Sequence, residues 1–216
     1  MTQDSRPDAE PVRLAGRPSL EAAQRIEETM LDAALEVFVA QGFRGASMEA
    51  IARAAGVTKR TLYRRARTKS ALFVDVVERL ALRSGVPELA HIKAGPLRQR
   101  LEAASEILLG WMLAPEAIAL YRLIVADATT HPSLARSVDG PFQRASEALA
   151  AILAEGDERP AEVIRMGADM FVRLVAGEAL DRAAQGIEPP GVSLRTQDRA
   201  RVGVAFFLAG WASWER

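Results

Sequence analysis

Eight lysines and arginines lie between residues 44 and 69, against one acid, Glu49. The heart of the segment reads Ser47-Met48-Glu49-Ala50-Ile51-Ala52-Arg53-Ala54-Ala55-Gly56-Val57-Thr58-Lys59-Arg60-Thr61-Leu62-Tyr63-Arg64-Arg65, with Lys69 following. Cations presented from one helix can neutralise phosphates and donate to base edges in the major groove of DNA. Lysine and arginine match the O6 and N7 acceptors of guanine, so Lys59 and Arg60, at the start of the second helical segment, are the candidates for reading bases. Thr61 can reach a base or a phosphate. The local charge is +7, and the rest of a chain whose 28 basic residues balance 28 acidic ones carries −7. A neutral protein with one cationic face has a local electrostatic footprint. A solvated, arginine-rich helix would give the same count; its coincidence with a two-helix pattern decides against that reading.

The pattern has a physical reason at each position. Ser47 suits an N-cap, and Glu49 falls in the first turn, where the helix dipole favours an acid. Ile51 and Ala55 are four apart and share a face, while Ala52 is small enough for a close helix crossing. Gly56 supplies a left-handed residue to end the first helix, Val57 plugs the corner and Thr58 can cap the second. Leu62 then points into the core, leaving Lys59, Arg60, Thr61, Tyr63 and Arg64 outside.

At these residues the chain resembles the TetR (tetracycline-repressor) family of bacterial transcription regulators. The matching positions are Ala33-Ala34-Leu35-Glu36-Val37-Phe38, Gly42-Phe43, Ser47-Met48, Ile51-Ala52, Ala55-Gly56-Val57, Thr61-Leu62-Tyr63, Lys69, Leu72 and Phe73. The resemblance implies an all-α protein, with an N-terminal three-helix bundle containing a helix-turn-helix and a larger helical domain for effector binding and dimerisation. It implies a homodimeric repressor on a palindromic operator in double-stranded DNA, released by a small-molecule effector. It also assigns phosphate contacts to Ser47, Tyr63, Arg64 and Lys69, with Arg44 and Arg65 as secondary candidates. One position departs: the family usually has an aromatic three residues after the tyrosine, where this chain has Ala66. Either that junction is looser or Phe43 or Phe73 fills it.

Composition excludes several other classes. At 216 residues and 49% hydrophobic the chain can bury a sizeable core, and without cysteine it has neither disulfides nor thiolate metal sites. His91 and His131 are the only histidines, neither with partners spaced like metal ligands, and there is no glycine-rich phosphate loop. No metal, no cofactor and no catalysis are expected. The N-terminus is polar, and no apolar run approaches the roughly 20 residues that span a bilayer. The expected location is the cytoplasm, away from membranes.

Residues 1–20 read as a flexible arm. Its Gly16-Arg17-Pro18 is like the core of arms that lie in A·T-rich minor grooves, and an ordinary solvated tail is the simpler alternative. Residues 21–69 form the DNA-binding domain, opened by a helix from about Glu21 to Gln41 that Gly42 stops. Residues 70–216 form the second domain. A helix starting near Lys69 carries Leu72, Phe73, Val76, Val77 and Leu80. Pro96 and Pro115 open helices reaching Leu113 and Thr130, His131-Pro132 makes a break, and another helix spans Pro141 to Glu155. Two long segments, Pro160 to Gln185 and Leu194 to Trp214, flank a loop at Gly186 to Gly191.

Those last two segments are apolar on more than one face and must be buried on two sides. By resemblance, Phe171, Leu174, Val175, Val204, Phe207, Leu208 and Trp211 are dimer-interface candidates; a wholly internal core fits the periodicity as well. Trp111, Met112, Tyr121, Ile124, Val125, Phe142, Met166 and Met170 are candidates for an adaptable, apolar effector pocket, and the same residues also read as plain core. No polar cluster would orient a particular ligand, since Asp169 with Arg173 and Glu178 with Arg182 fit ordinary i,i+4 surface pairs. Two alternatives stay open. One is an effector-independent DNA-associated architectural or partner-binding helical protein, the other a ligand-binding protein whose DNA contact is secondary.

Overall fold

A computed structural model describes residues 20–83 and 85–214; the arm carrying Gly16-Arg17-Pro18 lies outside them. The described residues form helices and no strand: α1 (Leu20–Gly45), α2 (Met48–Ala54), α3 (Lys59–Arg65), α4 (Lys69–Arg83), a 3-10 turn (Val86–His91), α5 (Leu97–Met112), α6 (Pro115–Asp127), α7 (Pro132–Arg136), α8 (Asp139–Ala154), α9 (Ala161–Val172), α10 (Glu178–Ala184) and α11 (Leu194–Ser213).

Apolar spacing along these helices builds two cores. In the first, the rings of Phe38, Phe43 and Phe73 meet at centroid distances of 5.1 to 5.9 Å, beside fully buried Ile51, Leu62 and Leu72. Each such side chain contributes roughly 1.5–3 kcal/mol when buried. Ala66 is buried in the same cluster as Phe43 and Phe73, so the missing family aromatic leaves no exposed gap. The cluster continues into Leu120 and Ile124 of α6 and Leu134 of α7, which makes the first three helices continuous with the second domain. The second core gathers α5, α8, α9 and α11 around Leu101, Leu108, Phe171, Val204 and Trp211.

The opening helix stops at Gly42, as expected: its φ of 72° and ψ of 168° are non-helical, and a separate short turn carries on to Gly45. Two sequence expectations change. The segment from Pro160 to Gln185 is interrupted by a π-turn, Arg173–Gly177, whose extra residue re-aims the side chains that follow. The pairs Asp169–Arg173 and Glu178–Arg182 do not form. Ser146 donates to Asp169 at 2.6 Å, Arg199 on α11 pairs with Glu178, and Arg182 pairs with Glu188 at 2.7 Å. These helices pack between others, so tertiary partners come within reach before intrahelical ones.

The turn between α2 and α3 depends on one glycine. Gly56 sits at φ 64°, while its N–H donates to the Arg53 carbonyl and that of Val57 to the Ala52 carbonyl at 3.0 Å. This is the double hydrogen bond of a glycine-terminated helix. A Cβ there meets nothing within 4 Å, so the cost of substitution is conformational. Gly56→Ala should lower stability by about 1–2 kcal/mol. Gly110→Ala, inside α5 with equally open space, should raise it by about 0.5–1 kcal/mol. Urea denaturation of both variants checks the opposite signs.

Candidate nucleic-acid interface

Local chemistry fixes α2 and α3 as a rigid pair. The Ser47 hydroxyl oxygen accepts from the Ala50 N–H at 3.1 Å, and that of Thr58 accepts from the Thr61 N–H at 3.2 Å. Leu62 is fully buried, so it anchors α3 while Lys59, Arg60, Tyr63 and Arg64 face outward. The Thr61 hydroxyl lies 2.9 Å from that of Thr58. Arg53 and Arg67 face outward as well, and sequence reasoning gave neither a role although both lie in the +7 segment. Among the described residues Arg53, Arg60, Arg64 and Arg67 make no hydrogen bond or ion pair within the chain.

Lys59 has an internal partner. Its Nζ lies 2.6 Å from Glu49 Oε1, and this ammonium hydrogen bond holds the Glu49 carboxyl below its ordinary value. The pair is intact above the ordinary carboxylate pKa and is lost as pH falls through the lowered one. Glu49→Gln should free Lys59 and remove a negative charge beside the phosphates. Binding to a random duplex should then tighten, with the salt slope steeper by about one unit. An unchanged slope, read by fluorescence anisotropy across a salt series, would show Lys59 fully available already.

Four of the six phosphate candidates are engaged inside the chain, Ser47 as the α2 cap and three cations as follows. Arg65 donates to Glu27 at 2.8 Å and to Asp75 at 2.9 Å, clamping the end of α3 between α1 and α4. Burial pushes the Asp75 carboxyl up, against the pull of Arg65. Lys69 donates to the carbonyls of Ala46 at 2.8 Å and Arg44 at 3.4 Å, with its ammonium 4.7 Å from the centre of the Phe43 ring. Arg44 pairs with Asp127, the last residue of α6, at 3.2 Å and donates to Thr130 in the turn that follows. These partners lie far away in sequence, which is why spacing could not reveal them.

Behind this face, α4, α5, α6, α8 and α10 line an apolar pocket of about 50 Å³ that is partly open to solvent. It brings together five of the eight pocket candidates, Trp111, Met112, Tyr121, Ile124 and Phe142. Val77, Leu80, Ala117, Leu120, Val138 and Leu180 complete the lining, with nothing in their types to mark them out beforehand. The other three candidates lie elsewhere. Val125 is 61% exposed, because one residue beyond Ile124 is about 100° further round the helix. Met166 and Met170 are exposed on α9.

The interface candidates also divide. Phe171, Val175, Val204, Phe207 and Trp211 fill the protomer's own core, where the Phe171 and Phe207 rings lie 5.2 Å apart and those of Phe207 and Trp211 5.4 Å apart. Leu208 packs half-buried against that core, and of the seven only Leu174 is exposed. What these helices leave uncovered is a neighbouring stripe: Met166, Met170 and Leu174, four apart on α9 and the π-turn, with Val202 and Phe206 on α11 and Trp214 just beyond its end. Met170, Leu174, Phe206 and Trp214 border a groove of about 530 Å³, whose floor is shared by Phe207 and Trp211.

Among the described residues no three acidic or histidine side chains converge as metal ligands, and no single helix is long and apolar enough to cross a membrane. His131 packs its ring on Phe43 at 5.0 Å, and His91 lies 3.2 Å from the Pro87 carbonyl.

Comparison with known proteins agrees with this architecture. Residues 30–76 match the model of the tetR family of bacterial regulatory proteins, and residues 99–213 match the C-terminal domain of AefR-like transcriptional repressors. A TetR-family transcriptional regulator from Mesorhizobium loti is 23% identical, with 87% of this chain and 96% of that one covered at a TM-score of 0.74. The flavonoid-responsive regulator FrrA is 26% identical, covering 87% and 97% at 0.65. A TetR-like regulator from Rhodococcus sp. RHA1 is 26% identical, covering 91% and 100% at 0.60. A search of curated proteins finds no match. With family models matching both its helix-turn-helix and most of its second domain, this chain belongs to the TetR family of bacterial transcriptional regulators.

Proposed function

We propose that the protein is a homodimeric repressor that sets α3 into successive major grooves of a palindromic operator and is released by a small apolar effector. The observation that carries this reading is the set of outward arginines on and around α3, which find no acidic partner among the described residues. Cations left unpaired on a helix so firmly anchored point to a polyanionic partner. Lys59 and Arg60 are assigned to base edges, with Thr61 reaching a base or a phosphate. Ser47, Tyr63 and Arg64 are assigned to phosphates. Arg44, Arg65 and Lys69 hold the head in place, and the third Lys69 N–H stays available to a phosphate.

Dimerisation is supported by the uncovered stripe of α9 and α11, since monomeric soluble proteins rarely expose contiguous apolar patches of that extent. Effector release is supported by α6, whose body lines the cavity and whose end grips Arg44. FrrA, by its name, responds to flavonoids, which favours a largely apolar effector here too. Footprinting on the DNA flanking the gene, at about 0.15 M salt, tests the whole reading. A bounded, palindromic footprint is expected. Salt-sensitive coverage of all DNA, with no preferred fragment in a genome-wide selection, would favour the architectural alternative.

A further inference from the structure

The cavity beside α6 has an unusually uniform chemistry. Its lining residues include no charged side chain, and the polar groups among their side chains are the Tyr121 hydroxyl and the Trp111 indole N–H. The Trp111 and Phe142 rings form one wall, 5.2 Å apart and inclined at 52°. Two of the charges next to lining residues are spent elsewhere. Glu78, beside Val77, pairs with Arg144 on α8. Arg122, beside Tyr121, donates to the carbonyls of Ala183 at 2.6 Å and Ala184 at 2.7 Å. An ion entering this space would lose its hydration and meet no opposite charge among the lining side chains. A neutral aromatic ring would keep edge and face contacts with Trp111 and Phe142.

Size adds a second condition. The cavity of about 50 Å³ is smaller than the apolar void of roughly 150 Å³ that admits benzene, so occupancy must widen it. Met112, with its flexible thioether chain, and the wall formed by Leu120, Tyr121 and Ile124 of α6 can yield. Movement of α6 reaches Asp127 at its end, and through it Arg44.

Resting on the effector-released reading above, we propose that this cavity takes a neutral, planar aromatic molecule of one or two rings with a hydroxyl or carbonyl facing Tyr121. It discriminates against anions and cations of the same shape. The test is calorimetric titration of the full chain at pH 7 with 2-naphthol, 2-naphthoate, 2-naphthylmethylammonium and 1-decanol. The expected result is one 2-naphthol per chain, with both ions at least a hundredfold weaker and decanol weaker than naphthol. Tyr121→Phe should weaken 2-naphthol about tenfold and leave naphthalene unchanged. Ala117→Met, which fills the cavity, should weaken both. The proposal is overturned by ions binding within tenfold of naphthol, by decanol binding best, by no binding of naphthol, or by variants that change nothing. Footprinting with and without 2-naphthol separates the two readings. Selective binding that leaves the operator complex intact would sink effector release and keep the ligand class; failed binding by a protein that still footprints would sink the ligand class alone.

Discussion

Phe206→Glu should convert the proposed dimer into monomers and abolish the bounded footprint expected on the operator. Phe206 is 70% exposed, the least covered aromatic side chain of the described residues, and stands between Val202 and Trp214 on a stripe that faces away from the protomer core. A single exposed aromatic needs no explanation, but here the stripe continues across Met166, Met170 and Leu174 on the neighbouring helix. In a two-fold dimer the same patch meets itself, so one substitution buries two carboxylates near the axis. The effective cost of desolvating an unpaired ion is several kcal/mol, and each 1.4 kcal/mol is tenfold, so the dimer dissociation constant should rise by about a thousandfold or more. Sedimentation velocity reads this directly. Val125→Glu, an equally exposed apolar position on α6, is the matched control and should stay dimeric. A Phe206→Glu protein that remains dimeric would move the interface to another face.

The contrast between legible and hidden features follows from the range of the interactions. The caps at Ser47 and Thr58, the left-handed Gly56 and the buried Leu62 all act over three or four residues, so α2, α3 and their outward cations could be read from the sequence. Arg65 and Arg44 could not be placed that way, because Glu27 is 38 residues from one and Thr130 is 86 from the other. For α9 and α11 the sequence shows two apolar stripes and offers no way to choose between them. The larger aromatics look like interface anchors, yet Phe171, Phe207 and Trp211 are largely buried against one another, the first pair edge to face and the second stacked. Gly167 shows what decided it: a Cβ there would run into the Trp211 indole, so the glycine lets the ring lie against α9. The cavity was half legible for a similar reason. Large side chains such as Trp111 and Phe142 attract notice, whereas Ala117 and Val138 become lining only through the fold.

Arg60→Ala should weaken operator binding by about 1–3 kcal/mol, roughly 5- to 150-fold, and relax discrimination at one base pair in each half-site. The argument rests on position and freedom together. Arg60 is in the first turn of α3, where a recognition helix meets base edges, and no acid among the described residues holds it. Two neighbours supply the comparison. Arg64 lies one turn later and should act on the backbone, so Arg64→Ala should weaken operator and random duplex alike and make the salt slope shallower by about one unit. Arg65→Ala should behave as a folding defect, because it strips the partner from partly buried Asp75 and from Glu27. The deciding quantity is the ratio of operator to random affinity at fixed salt, measured on protein shown to be folded. If that ratio falls for Arg60→Ala and holds for Arg64→Ala, the start of α3 reads sequence. If Arg60→Ala lowers both affinities equally, Arg60 is one more phosphate contact, and base recognition must fall to Lys59 once Glu49 releases it.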